Sequence, residues 1–310
     1  MKVLVTGGAG FIGSHVTDRL IQHGHSVDVM DDLSSGIPEN VHPSAKLHVM
    51  DVRSNEAADL IRHHRYESLI HHAAQMDVRR SVSDPAFDVS VNVLGLINLM
   101  EAGRASGLSK VVFASTGGAI YGEPESGPQS EQHPQRPLSP YGISKLTCEK
   151  LLYFYLHEYG IPFVALRYGN VYGPRQNAHG EAGVIAIFSE RFLSGQPTMI
   201  HGDGRQTRDY VYVDDVARAN HAALDFSGSS IALNIGTGLE TDVVTLHTML
   251  EEATGVHQSP THGPSKPGEQ RRSVLDWSKA AEVLSWSPRI DLREGLQRTA
   301  RWFMDHNVQS

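Results

Sequence analysis

Apolar residues follow two rhythms along the first half of this chain. Short apolar runs stand at residues 3–5, 69–70, 111–113 and 163–166, and at 27–30 and 47–49 broken only by Asp28 and His48. Between them lie longer stretches, 11–23, 55–64, 84–105 and 141–159, where apolar positions return every three or four residues. The short runs predict strands covered on both faces; the longer stretches predict helices. Strand, helix, strand in repetition predicts right-handed crossovers and an α/β fold, a Rossmann-type doubly wound parallel sheet.

From about residue 172 the rhythm changes. Gly173-Pro174-Arg175 marks a turn, and helices are predicted at 183–193, 213–226, 246–253 and 292–305. Short strands are predicted within 198–212, around Gly202-Asp203-Gly204, and at 233–235, with a Pro- and Gly-rich loop at 259–268. This gives a smaller C-terminal α/β lobe at the strands' C-terminal edge, where open α/β sheets bind ligands. The expected division is 1–171 for the sheet domain and 172–310 for the lobe, with some later segments returning to the sheet. At 310 residues the chain is longer than most single cores, which stop growing near ~250–300 residues.

Two helices carry a second apolar face. Phe87, Val91, Leu94, Ile97 and Leu99 mark one; Leu146, Leu151, Leu152, Phe154, Tyr155 and Tyr159 mark the other. Those faces predict a homodimer. The formal charge of −8 makes no case for nucleic acid. No apolar run nears the ~20 residues of a membrane span, and no basic-then-apolar leader precedes residues 2–5, so a cytoplasmic protein is expected. Cys148 is the sole cysteine, so no internal disulfide can form. The 18 histidines are scattered, without HExxH or CxxC spacing, and no metal is expected.

Chemistry enters at two places. Thr6-Gly7-Gly8-Ala9-Gly10-Phe11-Ile12-Gly13 spaces three glycines between a strand and a helix. There the backbone can approach a pyrophosphate, and the helix N-terminus offers free N–H groups. Asp31 ends the second predicted strand, where an acid accepts from ribose hydroxyls. With Asp32 beside it and no Arg or Lys before Lys46, a 2′-phosphate would be unopposed in its repulsion, which favours NAD over NADP. The second place is Tyr141 and Lys145, four apart and so on one helical face. A neighbouring cation lowers a phenol's pKa from its usual ~10 and lets it take a proton from an alcohol.

These residues belong to a longer ordered set: His72-Ala73-Ala74-Gln75, Asn92, Ser115-Thr116-Gly117-Gly118-Ala119-Ile120-Tyr121-Gly122, Arg167-Tyr168-Gly169-Asn170-Val171-Tyr172-Gly173-Pro174-Arg175 and Arg208-Asp209-Tyr210-Val211-Tyr212-Val213-Asp214-Asp215-Val216. With them the chain resembles the extended short-chain dehydrogenase/reductase family and, within it, the UDP-glucose 4-epimerases. The resemblance covers nearly the whole chain. It implies a catalytic set of Thr116, Tyr141 and Lys145, with Ser115 as the alternative hydroxyl. It implies NAD contacts from Gly7, Gly10, Phe11, Ile12, Gly13, Asp31, Asp32, Ser35, Gly36, Asp51, Val52, Ala73, Ala74, Gln75, Asn92, Ser115, Tyr141, Lys145 and Tyr168. A UDP-sugar would meet Thr116, Tyr141, Asn170, Arg208, Glu269, Arg271 and Ser273. Val184 and Phe188 either lie over its pyrimidine or pack in the lobe's core.

Dehydratases of this family typically carry Asp-Glu after the strand-end Thr, and decarboxylases a Glu. Gly117-Gly118 offers no side-chain proton donor or acceptor. The implied reaction is therefore 4-epimerisation of a UDP-hexose through a 4-keto sugar. UDP-glucuronate 4-epimerisation, 4,6-dehydration or decarboxylation, and a non-enzymatic NAD-binding sensor are the alternatives. Ser273 falls where a small residue implies room for N-acetyl sugars; uridine against thymidine stays open.

Overall fold

The computed structural model describes residues 1–124, 126–179, 183–265 and 270–307. The apolar runs form β1 (Lys2–Thr6), β2 (Ser26–Asp31), β3 (Lys46–Val49), β4 (Ser68–His71), β5 (Lys110–Thr116) and β6 (Phe163–Tyr168). A seventh strand, Ile231–Ile235, joins them in one sheet of order β3-β2-β1-β4-β5-β6 and then Ile231–Ile235. Every pairing in it is parallel. The order reverses between β1 and β4, and a crevice opens at such a point beyond the strands' C-terminal ends.

Alternate residues of a strand face opposite sides. Val3 and Val5 therefore join Val16, Leu20 and Val216 in one core, while Leu4 joins Leu69, Leu96 and Leu99 in another. Helices Phe11–Gln22 and Val213–Asp225 cover the first face; Asn55–His64, Gly95–Ser106 and Pro140–Tyr159 cover the second. Two dry faces are why β1, β4, β5 and β6 read as unbroken apolar runs, while the edge strand β3 is only partly buried. The chain past residue 171 thus supplies both a strand and a covering helix to the sheet.

The helix expected at 84–105 is divided. Val78–Ser83 is a short helix of its own, capped by Asp77, and Asp84 caps a new start at Pro85–Val89 by accepting from Phe87 N at 3.0 Å. Proline lacks an N–H, so it opens a helix more readily than it continues one. Ser90–Leu94 then widens into a π turn holding Asn92. One inserted residue leaves the apolar rhythm nearly unchanged, so the sequence does not announce it. Leu99, Leu152 and Tyr155, expected on an outer face, are buried against the sheet. Leu94, Phe154 and Tyr159 are exposed, as are Ile143 and Tyr153.

In the lobe, Val184–Leu193, Val243–Thr254 and Leu292–Asn307 pack around a third core containing Phe192, Leu246, Leu250 and Leu296. Thr261–Gly263, expected as loop, pairs in parallel with Met199–His201, because Thr261 N and its hydroxyl both reach Thr198 O. A helix at Ser278–Leu284 was not anticipated. Asn170–Tyr172 pairs in parallel with Tyr210–Tyr212 and links the lobe to the end of β6. No helix among the described residues is long and apolar enough to cross a membrane.

Candidate active site

The turn between β1 and the first helix is closed by backbone. Gly7 has φ +68, which L side chains rarely adopt, and a Cβ on Gly13 would stand 2.2 Å from Gly7 O. Gly10 begins the helix without a side-chain cap, so the first-turn N–H groups of Phe11, Ile12 and Gly13 face outward from the sheet's C-terminal edge. Ala73 N donates to Thr6 Oγ1 at 3.3 Å and brings the segment 73–75 alongside.

Asp31 is 7% exposed at the end of β2 and accepts from Ala9 N at 3.0 Å and Leu33 N at 2.9 Å. Burial pushes its carboxyl up, and those donors pull it back. The following loop returns over the glycine turn through Ile37 N to Ala9 O, which sets Ser35 and Gly36 beside Asp31. Asp32 is exposed and accepts from Ser34. Asp51 is held by Arg53 through Nε and Nη2, so that carboxylate is already paired; Val52 is buried beneath it. Tyr168 stacks on His72, and its hydroxyl accepts from Asn220 Nδ2 at 2.8 Å.

Helix Pro140–Tyr159 carries Tyr141 and Lys145, the expected acid–base pair. Ser139 Oγ caps it by accepting from Gly142 N at 3.2 Å, and this puts Tyr141 in its first turn. Lys145 Nζ donates to Ala114 O at 2.8 Å and lies 5.9 Å from the Tyr141 ring centre and 4.9 Å from that of Phe113. The two residues therefore meet, but the expected lowering of the phenol is not delivered by the pair alone. Burial, then Asp88 and Cys148, push Tyr141 above its ordinary value. Burial also pulls Lys145 down to about 8. A cation desolvated without a bonded carboxylate weakens itself as well as acting on its neighbour, so the tyrosine needs further positive charge at the site.

Sequence reasoning missed the support beneath this pair. Asp88 is fully buried and accepts from Ser144 Oγ at 2.6 Å, Asn92 Nδ2 at 3.1 Å and Gln75 Nε2 at 3.1 Å. Asn92 in turn ties the Gln75 backbone through its Oδ1 and Nδ2, at 2.9 and 3.0 Å. Cys148 is buried too, its Sγ 3.3 Å from Asn92 O, and burial pushes its thiol up to about 12. The available signal was positional: Asp88 precedes Asn92 by four residues, and Ser144 adjoins Lys145.

The strand-end hydroxyls separate. Ser115 is buried and donates to Glu149 Oε1 at 2.6 Å; Glu149 also takes Arg167 Nε at 2.9 Å and Nη2 at 2.6 Å. Adjacent strand residues face opposite sides, and Thr116 lies on the cleft side, accepting from Ala119 N at 3.2 Å while its own proton stays available. A Cβ placed on Gly118 would stand 3.9 Å from each of Thr116 Oγ1, Asn170 Oδ1 and Ser273 Oγ, with nothing nearer. Ser273 is fully buried and its Oγ has no hydrogen-bond partner among the described residues. The structure thus brings Thr116, Asn170 and Ser273 around Gly118, with room there for a methyl group in ordinary contact.

Other expected contacts fall differently. Phe188 is 2% exposed and edge-on to Phe192 and His247, so it serves the lobe's core; Val184 is half-buried at the helix start. Arg271 is an exposed partner of Asp203, bonded twice, and Arg272 pairs with Glu240. Arg208 lies on strand Thr207–Arg208 and donates to Thr207 O. Glu269, within Lys266-Pro267-Gly268-Glu269, lies outside the described residues. Asp209, quoted in a motif without a role, is a fully buried hub accepting from Thr237, Gly238 and Leu275.

Residues 3–236 match the NAD dependent epimerase/dehydratase family. The UDP-glucose 4-epimerase of Mycolicibacterium smegmatis is 46% identical over 308 residues, 98% of each chain. The crystal structure of UDP-glucose 4-epimerase with UDP-glucose from Thermotoga maritima is 47% identical, with a TM-score of 0.96 over 98% of this chain and 99% of that one. That of the Thermus thermophilus UDP-glucose 4-epimerase in complex with NAD is 45% identical, with a TM-score of 0.92 over 99% and 100%.

Proposed function

The chain belongs to the NAD-dependent epimerase/dehydratase family, and on that premise we propose that it inverts C4 of a UDP-hexose, interconverting UDP-glucose and UDP-galactose. It is an NAD-using isomerase of the extended short-chain dehydrogenase/reductase fold. The observation that carries the reaction class is a glycine, Gly118, facing Thr116 Oγ1 and Asn170 Oδ1 where a relative with an acid or base would carry a side chain. Elimination or decarboxylation needs an acid or base at that height, and Gly117-Gly118 provides neither.

The glycine turn fits a pyrophosphate, since a Cβ at Gly13 would fill its own cradle. Phe11, Ile12 and Gly13 N–H would hold the phosphates, Asp31 and Asp32 the adenine ribose, and Asp51 and Val52 would flank adenine. Ser35, Gly36, Ala73, Ala74, Gln75, Asn92 and Tyr168 complete that half. When bound, NAD supplies reversible hydride acceptance at the sugar carbon and the positive charge that the phenol still lacks. Tyr141 takes the C4 hydroxyl proton as the C4 hydrogen departs with its electron pair, which leaves a 4-keto sugar. Thr116 donates to that oxygen, and Lys145 favours the phenolate. After the sugar turns, Tyr141 returns the proton as hydrogen is delivered to the opposite face. Asn170 and Arg208 hold the nucleotide, Arg208 suiting a diphosphate by its planar fork.

Ser273 favours a second reading of substrate range: its small side chain leaves room for an N-acetyl group. Ser273→Tyr should suppress turnover of UDP-N-acetylhexosamines selectively, and equal loss on both sugars would count against this. The exposed Leu94, Ile143, Tyr153, Phe154 and Tyr159 support a homodimer through the two helices that carry them. Light scattering of Phe154→Glu should then show monomer. The function is tested by NMR of UDP- and dTDP-hexoses incubated with the protein. Glucose and galactose forms should reach one mixture from either side; a 4-keto-6-deoxy product would refute the proposal.

A further inference from the structure

His25 directly precedes β2, and His221 and Asp225 close helix Val213–Asp225. The sequence shows no ligand spacing here because the fold joins residues far apart in the chain. One ligand atom from each lies within 4.8 Å of the other two. His221 and Asp225 share a helical face at i, i+4, and Nε2 and Oδ2 are 3.3 Å apart. Two ligands on a tetrahedral ion with bonds of ~2.0–2.1 Å stand about 3.3–3.4 Å apart, so this pair is already at the required separation. His25 is edge-on to His221, and its Nδ1 is buried without a hydrogen-bond partner among the described residues.

A third imidazole adjoins them. The His23 ring lies 4.1 Å from that of His221, centre to centre. His23 Nδ1 is 2.8 Å from Arg19 O, and a carbonyl only accepts, so the proton is on Nδ1 and the lone pair on Nε2. A backbone carbonyl that fixes the tautomer is a usual support for a metal-binding histidine. The charges facing the rings offset one another: Arg19 and the N-terminal amine against Glu67 and Asp225.

We propose that His25, His221 and Asp225 form a zinc site at the N-terminal rim of the sheet, the end opposite the cleft. Two imidazoles and one carboxylate, with a position left for water or His23, suit Zn²⁺. The ion would staple the turn before β2 to the last turn of helix Val213–Asp225, and so would stabilise the fold without touching turnover.

The test is calorimetric titration of the chelator-treated, NAD-loaded protein with zinc chloride, with thermal unfolding read in parallel. One ion per chain should bind at micromolar zinc and raise Tm. His25→Ala, His221→Ala and Asp225→Asn should each weaken binding by about tenfold or more and remove the Tm rise, with epimerisation and circular dichroism unchanged. Asp225→Asn, an exposed change at a helix end, keeps the test valid if a histidine variant folds poorly. His63→Ala, on another helix, should bind as the parent does. Absence of saturable binding in the parent, or undiminished binding in Asp225→Asn and His221→Ala, would overturn the site.

Discussion

Lys145 and Arg167 are both 3% exposed, and both lie against β5, one bonded at Ala114 and the other in register with Ser115. Arg167 is fully partnered. Glu149 takes two of its N–H groups, and Nη1 donates to Tyr121 Oη at 2.7 Å, which donates to Asn234 Oδ1 at 2.7 Å. Burial works against its charge, but Glu149 and then Tyr121 hold the guanidinium above its ordinary value. Lys145 has a carbonyl and two ring faces, and burial pulls it to about 8. A cation with each of its nitrogens bonded to an anion or hydroxyl has its field spent locally. One left without a bonded carboxylate is costly to bury, and here it stands 5.9 Å from the centre of the Tyr141 ring. The first arrangement anchors helix Pro140–Tyr159 to β5 and β6; the second is placed to act on a reacting group.

That contrast can be broken from either side. Tyr141→Phe removes the group on which the unneutralised cation acts, and turnover should fall about 10²–10⁴-fold. NAD binding, followed by fluorescence titration, should be unchanged; activity within tenfold of the parent would remove Tyr141 from its role. Glu149→Leu strands Arg167 and should cost about 3–5 kcal/mol in urea unfolding. Adding Arg167→Met should recover most of that loss, because the paired ions contribute little beyond a well-packed apolar pair. Lys145→Met should act the opposite way, lowering turnover by about 10²-fold while leaving stability level or raised. A loss of stability as large as that of Glu149→Leu would erase the distinction drawn here.

The smallest effect is one of pH. Lys145 has a folded pKa of about 8 against an ordinary 10.5, so between those values the unfolded chain holds the proton more tightly. Unfolding then takes up a proton, and the lysine's contribution to stability rises with pH by up to about 1.4 kcal/mol per unit. Tyr141, raised above its ordinary 10.0, opposes this only above pH 10. Denaturant unfolding from pH 8 to 10 should therefore show the parent gaining on Lys145→Met, and parallel curves would refute the assignment.

The sheet was legible because strands buried on both faces leave continuous apolar runs, and the Gly7–Gly13 turn because a phosphate cradle needs glycine at set places. Tyr141 and Lys145 were legible as a pair, since i, i+4 residues share a face. Their electrostatics were not, because Asp88 and the burial that shift them depend on contacts distant in the chain. Ser115 and Thr116 were indistinguishable because only the folded chain shows that Glu149, paired with Arg167, takes the Ser115 hydroxyl. Phe188 shows the limit of spacing: i, i+4 recurrence tells which residues share a stripe and not which way the stripe turns. His25 and His221 were illegible for a related reason, having no local spacing at all.

Cys148 carries a practical dividend. The chain's only sulfhydryl is sealed against Asn92 and strongly disinclined to ionise, so maleimide reagents should pass it by. A single cysteine introduced on the lobe's surface could then bear a fluorophore without background. Whether the lobe moves against the sheet during turnover could then be read from that one fluorophore.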